Sequence, residues 1–84
     1  MSDDTQLFNI DDISDVLVEK TITEIYNNLT EIGYDPTAQI VGYLISGDPG
    51  YITSHKESRK KISSLERTKI LESMLRKYIN KWDI

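Results

Sequence analysis

The side chains that could do chemistry in this chain are few and unevenly placed. His55 is the only histidine and cysteine is absent, so a metal cluster has almost nothing to build from. The lack of cysteine also excludes disulfides, thiolate zinc sites and cysteine nucleophiles. Gly33, Gly42, Gly47 and Gly50 do not fall in a phosphate-loop spacing. The carboxylates lie on the N-terminal segment and along helix faces, away from any apolar pocket that would shift their pKa values. No catalytic residue, metal site or cofactor is therefore expected, and the chain reads as a non-enzyme. What remains is anion chemistry. Arg59, Lys60, Lys61 and Arg67 lie close together in sequence and are the candidates for holding a phosphate or an acidic partner. Thr5, in Asp3-Asp4-Thr5-Gln6-Leu7-Phe8, is by residue type alone an ordinary solvated threonine.

Charge is split between the two halves. Residues 1–53 carry ten carboxylates against the single base Lys20, whereas residues 54–84 carry nine bases against four carboxylates. Either the two faces attract one another, within a protomer or across a dimer, or the basic half receives an anionic partner. That partner could be the chain's own N-terminal segment once phosphorylated. Short helices and a basic C-terminal half also admit an alternative, a small helix-turn-helix-like nucleic-acid-binding protein. A sequence pI of about 4.8 opposes it, because the acidic half would repel phosphates, so no nucleic acid is expected.

These groups need elements to position them, and the central one is best punctuated. In Gly33–Pro49, Asp35 suits an N-cap and Pro36 a first helical position, while Gly47 and Asp48-Pro49 close the element. Ala38, Ile40, Val41, Tyr43, Leu44 and Ile45 surround the intervening helix, which predicts burial on all sides. A strand competes for Ile40–Ile45, and the paired start and stop signals favour helix. Gly42 is expected where a neighbouring backbone comes close. Upstream, a helix is expected over 13–32, capped by Asp12. Val18, Ile22, Ile25, Leu29 and Ile32 form its stripe, widened by Val16, Leu17 and Tyr26. Downstream, Tyr51 and Ile52 should plug the core edge, and capping boxes place a third helix from Ser54 and a last one from Ser63 or Ser64. That last helix presents Leu71, Leu75, Tyr78 and Trp82. The fold class is all-α: a compact small helical domain over 13–84 with a buried central helix, preceded by a flexible acidic N-terminal tail over 1–12. In a chain of 84 residues without disulfides, further stability would come from a homodimer, whose interface is expected to involve the first helix or the central one because Ala38–Ile45 carries more apolar surface than so small a chain covers easily. With no apolar run for a signal peptide or a membrane span, a cytoplasmic protein without membrane insertion is expected.

Gly33-Tyr34-Asp35-Pro36, Gln39-Ile40-Val41-Gly42-Tyr43-Leu44 and Ser46-Gly47-Asp48-Pro49-Gly50-Tyr51-Ile52 closely resemble the IreB/ReoM family of small regulatory phosphoproteins of Gram-positive bacteria. The resemblance continues through Arg59, Ile62, Glu66-Arg67 and the Ile70–Tyr78 helix. It implies an all-helical homodimer whose phospho-acceptor threonine lies in an acidic tail a few residues ahead of a Phe, which Thr5 matches. It further implies a PASTA-type membrane Ser/Thr kinase and an opposing PP2C-type phosphatase as partners, and control of peptidoglycan synthesis and cell-wall antibiotic tolerance. In part of the family this runs through Clp-protease machinery acting on a peptidoglycan-precursor enzyme, the first committed one of the pathway. Two departures remove bases: Thr53-Ser54 stands where relatives often have Pro-Arg, and Ser63-Ser64 where they often have a basic pair.

Overall fold

The computed structural model describes residues 10–82. They form four α-helices, α1 (Ile10–Glu31), α2 (Pro36–Ser46), α3 (Ser58–Ser63) and α4 (Arg67–Trp82), with 3-10 turns at Pro49–Tyr51 and His55–Glu57. No strand occurs among the described residues, so the expected all-α class holds.

The punctuation of α2 works as its residues predict. Asp35 Oδ1 accepts from the Ala38 N–H at 3.2 Å, and Gly47, at φ 75°, donates its N–H to the Tyr43 carbonyl at 2.7 Å. The helix α1 ends in a Schellman motif: Tyr34 N–H reaches the Leu29 carbonyl at 3.0 Å and Gly33 N–H the Thr30 carbonyl at 3.1 Å, with Gly33 at φ 91°. Asp12 lies inside α1 rather than capping it.

The core joins all four helices. Val18, Ile25 and Leu29 of α1 meet Ile40 and Tyr43 of α2, Ile52 of the connector, Ile62 of α3 and Ile70 of α4, with Ile22, Leu44 and Leu65 packed against them. The expected widening of the α1 stripe does not occur: Val16, Leu17 and Tyr26 are exposed. Val16 lies two residues, about 200°, from Val18, which puts it on the opposite side of the helix.

Four further expectations are corrected. Within the protomer α2 buries Ile40 and Tyr43 but leaves Val41 46% and Ile45 79% exposed. Its apolar surface therefore exceeds what one chain covers. Of the connector pair only Ile52 enters the core, while Tyr51 stays exposed with its ring against Gly42. Neither capping box starts an α-helix. Thr53 Oγ1 takes the His55 N–H at 3.1 Å, Lys56 and Glu57 adopt left-handed φ of 52° and 63°, and α3 begins only at Ser58. Ser64 turns its hydroxyl back to the Lys61 carbonyl at 2.7 Å, ending α3, and α4 begins at Arg67. In α4 the residues turned to the core are Ile70 and Ser73, while Leu71, Leu75 and Tyr78 face outward.

Candidate partner and phosphate-binding surface

The helix α1 collects the charge that the sequence separates. Its Asp15 pairs with Arg76 through two hydrogen bonds of 2.6 and 3.0 Å, its Glu19 with Lys77 at 2.9 Å, and its Glu24 with Lys61. At its end Glu31 receives both His55 Nε2 and Lys56 Nζ at 3.1 Å. The Arg76 guanidinium beside Asp15 holds that carboxyl at about 2, below its ordinary 3.8. His55 and then Lys56 lower Glu31 in the same way. Attraction within the protomer thus accounts for much of the basic half. Bases tied to α1 carboxylates do not form the open stripe that a nucleic-acid-binding helix presents.

The four basic candidates separate into distinct roles. Lys61 is committed to Glu24. Arg67 sits on the C-terminal end of α2: its Nη1 donates to the Leu44 carbonyl at 3.1 Å, and its guanidinium lies against Gly47, where a Cβ would approach Nη2 to 2.7 Å. A cation there satisfies a carbonyl the helix leaves open and opposes the negative end of its dipole. Arg59 clamps the other side of the same turn, its Nε donating to the Pro49 and Ile52 carbonyls at 3.1 and 2.9 Å. Lys60 extends into solvent and meets Glu57 at 3.6 Å. The two arginines therefore bracket the Gly47–Ile52 turn, and Arg59 and Lys60 share a shallow groove with Pro49, Ser54, Glu57 and Ser63. Ser54 and Ser63, which stand where the resemblance leads one to expect bases, both line it. Thr5 lies outside the described residues.

A second surface was legible only in part: the apolar excess of the central helix pointed to a dimer seam, but the α4 half of it was not joined to that seam. Val41, Leu44 and Ile45 of α2 join Leu71, Met74, Leu75 and Tyr78 of α4 in one apolar groove. Spacing found these residues as the apolar surface of the central helix and the stripe of the last one, without joining the two into one groove. The signal that could have separated them is a second apolar face on each helix, since Ile70 and Ile40 already supply the inward positions.

The described residues contain no group of three or more His, Cys, Asp or Glu able to hold a metal, and no helix long and apolar enough to cross a membrane. The arrangement is a small helical body with an apolar face on α2 and α4 and a shallow groove beside α3 that carries Arg59 and Lys60. The family model of the IreB regulatory phosphoprotein matches residues 3–80, and the chain belongs to that family.

Proposed function

We propose that this chain is a non-enzymatic regulatory phosphoprotein of the cytoplasm whose residues 1–12 carry the phospho-acceptor Thr5 and whose residues 13–84 form the body that partners read. A PASTA-type membrane Ser/Thr kinase adds the phosphate and a PP2C-type phosphatase removes it. The output is control of peptidoglycan synthesis and cell-wall antibiotic tolerance, through Clp-protease turnover of the first committed enzyme of the pathway. The observation that carries this reading is the family match over residues 3–80, which spans Thr5 as well as the helical body. Physical support comes from the charge change. Phosphate adds about −1.5 to −2 charges and three strong acceptor oxygens, enough to make or break a contact with Arg59 or Lys60.

The protein acts as a homodimer through the apolar face of α2 and α4, which a single protomer leaves exposed. The test of the switch is kinase labelling of wild type and Thr5→Ala, followed by partner capture with the unmodified and phosphorylated forms. Labelling should vanish in Thr5→Ala and the captured partners should differ between forms. Full labelling of Thr5→Ala would refute the acceptor, and identical partners with and without phosphate would refute the switch.

A further inference from the structure

The segment that leads into α3 holds a conformation its own residues oppose. Ser54-His55-Lys56-Glu57 has the spacing of a capping box, yet the Ser54 side chain caps nothing. Instead Lys56 and Glu57 stand side by side at φ 52° and 63°, a left-handed pair with no glycine in it. A side chain with a Cβ is strained there, and L-residues visit that region singly rather than in pairs. An outlier of this kind persists only where its surroundings hold it.

What holds it comes from α1. Glu31 Oε1 lies 3.1 Å from His55 Nε2 and 3.1 Å from Lys56 Nζ, so one carboxylate ties down two successive residues. The backbone bonds are those of a tied turn. Glu57 N–H reaches the Ser54 carbonyl at 3.0 Å, and Arg59 N–H reaches past the left-handed pair to the Thr53 carbonyl at 2.9 Å. In a continuous helix Arg59 N–H would take the His55 carbonyl instead, four residues back. Both ends of the segment are fixed. Ile52 is fully buried, and Ser58, also buried, receives the Asn28 amide at 2.9 Å.

The pattern written in the sequence and the pattern adopted are alternatives for the same residues. We propose that residues 53–57 are a two-state strap, clasped to α1 through Glu31 in this structure and released as the first turn of a longer α3 capped by Ser54. The clasped state gains the contacts to Glu31 and bears the strain of the left-handed pair. The released state gives up those contacts, relieves the strain and gains a cap. Release also redistributes charge. Lys56 leaves Glu31, and in a continuous helix it stands three and four residues from Arg59 and Lys60, on one face. The strap thus decides whether Lys56 serves α1 or the basic surface beside α3.

The test is amide relaxation dispersion by NMR on the full chain, read at residues 53–59. Wild type should exchange there with a released population of about 1%. Glu31→Ala should raise that population about fivefold, as the loss of two exposed ion pairs allows. The minor-state shifts at residues 55–57 should be helical. Ser54→Ala added to Glu31→Ala should lower the population again by about fivefold, because the hydroxyl caps only the released helix. Glu57→Gly should suppress the exchange and raise the melting temperature, since glycine accepts the left-handed conformation and disfavours the helix. A flat dispersion profile in Glu31→Ala overturns the proposal. So does exchange with a coil-like state that is indifferent to Ser54→Ala, which would be plain fraying of the segment. A lower melting temperature for Glu57→Gly overturns it as well, because the left-handed pair would then carry no strain to release.

Discussion

Gly42 has room for a hydrogen atom and nothing larger. A Cβ built there would stand 2.5 Å from both Cδ1 and Cε1 of Tyr51, whose ring packs across the helix at that point. The sequence placed a close approach at this glycine, but the neighbour is a ring from the following turn rather than a backbone. Local pattern carries no information about which side chain folds back nine residues later. Gly42→Leu should destabilise the fold by about 1–3 kcal/mol through overpacking. In a Tyr51→Ala background the same change should cost clearly less, because the clashing ring is gone. Urea midpoints of the four proteins check this, and equal costs in both backgrounds would remove Tyr51 from the explanation. Gly47 is constrained twice, by its φ of 75° and by the Arg67 guanidinium lying over it. Gly47→Ala should cost about 1–2 kcal/mol from the left-handed backbone alone. Arg67→Ala added to it should relieve only the contact with the guanidinium, which thermal melts of the double variant would reveal.

At the scale of elements, the parts of the chain that signal locally were legible and the parts that depend on partners were not. Asp35, Pro36 and Gly47 satisfy their own neighbours, so α2 was bounded by its sequence. The Ser54 and Ser63-Ser64 capping boxes misled because better local bonds existed. Thr53 captured the His55 N–H, and Ser64 captured the Lys61 carbonyl. The pairing of α1 with α4 was visible only as a charge imbalance, because periodicity cannot say which acid meets which base. That pairing carries a pH dependence. Asp15 titrates at about 2 in the folded chain and near 3.8 when free, so its stabilising contribution is complete above about pH 4. It is lost as pH falls toward 2, and Glu31, also lowered, acts in the same direction. Wild type should therefore lose stability steeply between pH 4 and 2. Asp15→Asn should be less stable at pH 7 and show a shallower acid limb in melts followed by circular dichroism. Parallel acid limbs in the two proteins would remove Asp15 from the account.

For the whole molecule the governing fact is apolar surface without a cover. A chain of 84 residues buries a limited share of its surface, and here α2 and α4 leave Val41, Ile45, Leu71, Met74 and Leu75 outside while a separate set fills the core. The proposed homodimer accounts for both sets with one sequence: Ile40 and Ile70 close the protomer, and their outward neighbours close the pair. Fully burying one isoleucine is worth about 1.5–3 kcal/mol. A two-fold seam counts each such residue twice. A carboxylate placed at position 45 would lose that gain in both copies and add a desolvation cost. Ile45→Glu should therefore weaken dimerisation by at least about a hundredfold. Because Ile45 is 79% exposed in the protomer, the helical spectrum should stay the same. Val16→Glu, on the outer face of α1, serves as the control, since Val16 is 67% exposed and does not line the α2 and α4 groove. Sedimentation at tens of micromolar should show a dimer for wild type and Val16→Glu and a monomer for Ile45→Glu. If Val16→Glu dissociates instead, the seam runs along α1 and the α2 and α4 face is not what a second copy covers.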